Sequence, residues 1–187
     1  MTIRKRQLSI FVPAAALLLA ASLAAAPAAS PPSAWNFTAE ASNLLDRAQS
    51  LSVTLKADGA RLESLTRSHV TWQAHAYQLN LVRQHVNEMG PILTRLQEIR
   101  HVAAPWQQQA TDRVVPLAAV LAARTEAAIN HLNENRRYLY AADYTGHLGA
   151  IADHARSMNE HIGMFIDYAQ TGEKLEQLRL NLEMPKS

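Results

Sequence analysis

The chain has no cysteine among its 187 residues. That excludes disulfides, thiol catalysis, cysteine-type zinc sites and covalent haem attachment through C-x-x-C-H. A lipid-modified leader is excluded as well, because lipid attachment needs a cysteine. Glycines number only six, so long stretches run without a natural breaker. No stretch alternates apolar and polar residues with period two, and no sheet is expected. Catalytic signatures are missing too: there is no G-x-S-x-G, phosphate-binding loop, H-E-x-x-H or H-x-x-x-H. A ferritin-type di-iron bundle needs two Glu-x-x-His motifs. The chain offers one that fits, Glu98-Ile-Arg-His101, at a helix end. A non-enzymatic protein is expected.

The first thirty residues differ in kind from the rest. Arg4, Lys5 and Arg6 precede an apolar run from Leu8 to Leu23, and Ala24 to Ser30 is a small-residue segment. This order marks a secretory signal peptide. Cleavage after Ala28 is expected, giving a signal peptide over 1–28 and a disordered Pro/Ser/Ala-rich lead-in over 29–35. The destination would be the periplasm or the cell exterior. The apolar run falls short of the roughly 20 residues of a membrane-spanning helix, and Pro13 interrupts it. No stable membrane span is therefore expected after cleavage. Losing Arg4, Lys5 and Arg6 leaves 15 basic against 16 acidic residues, a net charge of −1 in place of the full chain's +2. No basic patch remains to attract nucleic acid or an acidic membrane.

From Phe37 onward, apolar residues recur at alternating steps of four and three, the seam of a packed helix. The first series is Phe37, Ala41, Leu44, Ala48, Leu51, Leu55, Asp58, Leu62, Leu65 and His69. The second runs from Trp72 through His75, Leu79, Val82, Val86, Met89 and Leu93 to Leu96, with Thr71 as its N-cap. Pro105 opens the third, where proline is welcome, and Ala110, Val114, Leu117, Leu121, Ala128, Leu132 and Leu139 follow. The fourth holds Leu148, Ile151, Ala155, Met158, Ile162 and Phe165, then Leu175, Leu178 and Leu182 after a slip in phase. Helices are expected over 37–68, 72–100, 105–138 and 143–182. Short connectors between long helices predict an all-α, up-down-up-down antiparallel four-helix bundle over 36–183. Trp35, Trp72 and Trp106 would each plug the bundle where a helix begins.

Antiparallel neighbours can be matched by height. With turns centred near 70, 103 and 141, residue i of the first helix faces about 140 − i, 67 + i and 215 − i on the next three. Pro91 and Pro116 then share a level, predicting a joint bend or a widened section lined by Asn87, Met89, Asp112 and Val120, because a helix-interior proline removes a hydrogen bond and clashes with the carbonyl four residues back. Asp58 occupies a core position opposite Val82, Thr125 and Ser157, and with Thr125 and Ser157 predicts a polar core layer that fixes register. At one end His75, His131 and His147 fall near one height, a candidate transition-metal site. His147, His154 and His161 form a stripe that flanks the core seam.

The layout resembles periplasmic four-helix bundles in general, including b-type cytochromes and sensor ectodomains. That resemblance implies an architecture and leaves two functional expectations. The first is a binding or assembly module working on a protein or envelope component, with an oligomer possible and no cofactor. The alternative is a transition-metal or haem carrier using histidines at one end.

Overall fold

The computed structural model describes residues 38–183, which fold into four α-helices and, among the described residues, no strand. α1 spans Thr38–Ser64, α2 Trp72–Ile99, α3 Pro105–Glu134 and α4 Ala142–Glu183. The chain is all-α. The expected signal peptide over 1–28 and lead-in over 29–35 lie outside the described residues.

Helix ends follow local chemistry, with two corrections to the sequence reading. Thr71 stands in the N-cap position of α2, but its hydroxyl makes no capping hydrogen bond. Pro105 opens α3, where its missing N–H leaves nothing unpaired. Gln107 folds back over this start: Oε1 accepts the Ala104 N–H at 2.9 Å, and Nε2 donates to the Thr38 carbonyl at 2.8 Å and to Ser42 Oγ at 2.9 Å. The first turns of α1 and α3 are thereby tied together. α3 stops at Glu134, short of the expected 138, because Asn135 leaves the helical region with φ −129° and ψ 46°. The connector is held by the Tyr138 N–H on the Asn135 carbonyl and the Ala141 N–H on the Tyr138 carbonyl. Leu139, expected on the third helical seam, is buried within this turn instead.

Each helix packs mainly on two neighbours, α1 and α3 both touching α2 and α4. As α1 ascends from Glu40 to Asp58, its partners on α2 descend from Arg95 to Gln78. Likewise Ser52 meets Asn159, and Gly59 meets Ala152 of α4. The seams enclose a continuous core with Leu45, Leu55, Leu79, Met89, Leu121, Leu148, Met158 and Ile162 almost wholly removed from water. Burial of each such side chain is worth about 1.5–3 kcal/mol.

Ala41, Ala48, Leu55 and Leu62 of the expected α1 seam are fully buried, and the departure is at Leu51. Leu51 is only half-buried, whereas Ser52 and Gly59 are fully enclosed. Close approach of α4 is the reason. A Cβ on Gly59 would lie 3.1 Å from the Ala152 backbone and 3.5 Å from Ala155 Cβ. Ser52 Oγ donates to the Gln49 carbonyl at 2.7 Å and accepts from Asn159 Nδ2 at 3.1 Å. Small residues let the two helices touch, and one hydrogen bond aligns them.

The far end of α4 departs from expectation more strongly. Leu175, Leu178 and Leu182 continue the helix but are 69%, 60% and 85% exposed. All residues from 170 to 183 face solvent. The α1–α4 register agrees with this: residue i of α1 faces 211 − i, so Thr38, the first described residue, stands opposite Glu173. No described helix is long and apolar enough to cross a membrane.

Two glycine substitutions test the packing. Gly59→Val should lower stability by about 1–3 kcal/mol through overpacking against Ala152. Gly146→Ala, where an added Cβ meets nothing within 4 Å, should raise it by up to about 1 kcal/mol through helix propensity. Chemical denaturation of both variants reads the two signs.

Candidate functional site

Buried chemistry collects at two places. The first is a polar knot between α1 and α2. Asp58 is 3% exposed, and a carboxylate there must be paired. Gln78 Nε2 donates to its Oδ1 and to its backbone carbonyl, both at 3.2 Å. Arg61, one turn on, reaches Oδ1 at 3.3 Å. His85 Nδ1 lies 2.9 Å from Oδ2, within ion-pair reach but without hydrogen-bond alignment.

His85 also lines an open groove of about 890 Å³ between α1 and α2. Charges of both signs line it. Arg95 clamps Glu40 through two bonds of 2.6 and 3.2 Å and reaches Glu98 at 3.0 Å. These hydrogen bonds hold the guanidinium pKa well above its ordinary value. The groove's two hydroxyls face inward to their own helix: Ser50 donates to the Asp46 carbonyl at 3.1 Å and Thr54 to the Ser50 carbonyl at 3.4 Å. Neither is hydrogen-bonded to His85, so the carboxylate–imidazole pair has no hydroxyl to activate in the manner of a nucleophile–base couple.

The second place is the end where α2 begins and α4 starts. Tyr144 is fully buried, and its hydroxyl lies 3.0 Å from His75 Nδ1. His131 stacks on the same phenol ring at 5.1 Å between centroids. Burial lowers the His75 pKa and raises that of Tyr144, so both are neutral at pH 7. The exposed Tyr140 hydroxyl donates to the Ser68 carbonyl at 2.9 Å, and Arg136 covers Trp72 at 4.4 Å.

The three histidines expected at one height lie at one end of the molecule but do not meet at one point. His75 and His131 meet Tyr144, whereas His147 stands beside Arg124 at 3.5 Å. Among the described residues no three or more His, Cys, Asp or Glu side chains form a group able to hold a metal. His131 and His147 line one open pocket on the α3–α4 face, while His75 stays fully buried on Tyr144, so helix rotation rather than height keeps the three rings from one point. The expected layer of Asp58, Thr125 and Ser157 does not converge either. Thr125 Oγ1 donates to the Leu121 carbonyl of its own helix at 2.8 Å, and the Ser157 carbonyl is met by His161 Nδ1 at 2.7 Å. Asp58 finds its partners one turn either side of Val82, at Gln78 and His85. Those two residues were readable as i−4 and i+3 neighbours of the position that height-matching assigned to Asp58. Pro91 and Pro116 both lie within uninterrupted helices.

No family model, curated protein or solved structure matches this chain.

Two outcomes follow from the buried groups. Asp58→Leu strips partners from the buried Gln78 amide and the half-buried His85 imidazole and should cost about 1–3 kcal/mol, with most of it recovered in Asp58→Leu/Gln78→Met, where the buried pair is apolar on both sides. Denaturation of the single and double variants measures this. His75 has a folded-state pKa below its unfolded value, so its contribution is complete above pH 6.5 and is lost as pH falls through the lowered folded pKa. His75→Asn should flatten the loss of stability between neutral and mildly acidic pH, read by thermal melts across that range.

Proposed function

We propose that the protein is exported behind a cleaved leader and acts without catalysis, as an up-down-up-down four-helix bundle that assembles through the free end of α4. The observation that carries this reading is an apolar stripe left uncovered there. Met164, Tyr168, Thr171, Leu175, Leu178 and Leu182 alternate by four and three, and every apolar member is more than half exposed. Contiguous exposed apolar surface marks interaction sites. An isolated helical end of some 14 residues is also marginal in water without a partner for its stripe.

The stripe is set one residue away from the seam that α4 uses inside the molecule, which ends at Ile162 and Phe165. One residue is about 100° of rotation, so the same helix presents one face inward and another outward. A second copy of the chain fits this outer face. Residues 170–183 carry three acids and two bases, a balance that opposes neither self-association nor solubility. The polar face lacks the Lys/Arg richness of helices that lie on membranes. In a parallel pair Lys174 would meet Arg179 across the seam; an antiparallel pair avoids that repulsion.

Sedimentation equilibrium tests the assembly. The mature chain should show a concentration-dependent mass approaching a dimer, and Leu178→Glu should remain monomeric with an unchanged melt of the core. A strictly monomeric wild type, or a Leu178→Glu variant that still dimerises, would contradict it. Export is tested by mass spectrometry of the extracytoplasmic fraction, where the mature protein should begin at Ala29.

A further inference from the structure

Between α2 and α3 lies a cavity of about 210 Å³, and all eleven residues that line it are apolar or glycine. Its mouth is made of small residues: Gly90 on α2 faces Ala118, Ala119 and Ala122 on α3. Gly90 is exposed and a Cβ built on it meets nothing within 4 Å, so the slot opens to solvent on this side. The floor is core, with the side chains of Met89 and Met158 almost fully buried. Two of the wall residues, Gly90 and Val115, immediately precede Pro91 and Pro116.

From these features we infer that the cavity is a binding site for a small, uncharged, apolar molecule built around one aromatic ring. No side-chain donor or acceptor lines it, and water needs two to four polar partners to occupy a buried site. Apolar cavities of roughly 150 Å³ accept benzene, so this one holds a single ring with a short alkyl substituent. The methionine thioethers on the floor favour an aromatic over an aliphatic occupant. The site is remote in kind from the α4 stripe: it is a slot of molecular dimensions, whereas the stripe is an open surface. It does not depend on the assembly proposed above.

Toluene is the probe. Methionine-methyl NMR of the mature chain, titrated with toluene, should show saturable one-site shifts at Met89 and Met158, while Met164 on the exposed stripe shows none. Ala118→Leu fills the slot and should weaken binding by about tenfold or more with no loss of stability; Ala122→Leu is the second variant should the first fail to fold. Non-saturating shifts, or saturation unaltered by the filling variant that folds, would overturn the site. Repeating the titration in Leu178→Glu separates the two proposals, because toluene binding should persist there when the dimer is gone.

Discussion

Contact between α1 and α4 is the constraint from which the remaining arrangement follows. Gly59 brings the two backbones close enough that a single added carbon would press on Ala152. Close packing forfeits little van der Waals attraction, and interiors tolerate extra volume poorly. The Ser52–Asn159 hydrogen bond fixes which turn of α4 meets which turn of α1. Once that register is set, α4 outruns the described part of α1 near Glu173, and its turns beyond are exposed among the described residues. The exposed leucines are thus a geometric consequence of an interior fit.

Polar groups are placed so as to reinforce register. Asp58 engages three side chains of α1 and α2, and His75 joins α2 to α4 through Tyr144. Buried pairs of this kind add little net stability, since desolvation offsets much of the attraction. Misaligning a helix by one turn would leave each of them unpaired, at full desolvation cost. We read them as alignment devices. The function proposed above rests on apolar surfaces: one stripe facing outward, and one slot between α2 and α3 lined by alanines and Gly90.

Much of the helical pattern was legible because apolar periodicity is a local property. Leu55, Leu79, Leu121 and Ile162 are buried as their spacing implies. The site was less legible because it depends on sums of small offsets. His131 shares Tyr144 with His75 and a pocket with His147, so helix rotation, which spacing does not record, is what keeps His75 and His147 apart. Height-matching found the right level for Asp58 but named Val82, the apolar residue at the centre, and passed over Gln78 and His85 on either side. Leu175, Leu178 and Leu182 carry the same periodic signal as core residues. Periodicity records that a face wants cover; it does not record whether the cover comes from the same chain.

Residue-resolved hydrogen exchange over a dilution series tests that distinction most directly. Amides of α1 from Ala41 to Leu62 and of α4 from Tyr144 to Ile162 should be protected at every concentration. Those from Gln170 to Glu183 should exchange rapidly when the protein is dilute and slow as it is concentrated. Protection of that last segment at all dilutions would show that the chain covers its own leucines, and the account would be wrong.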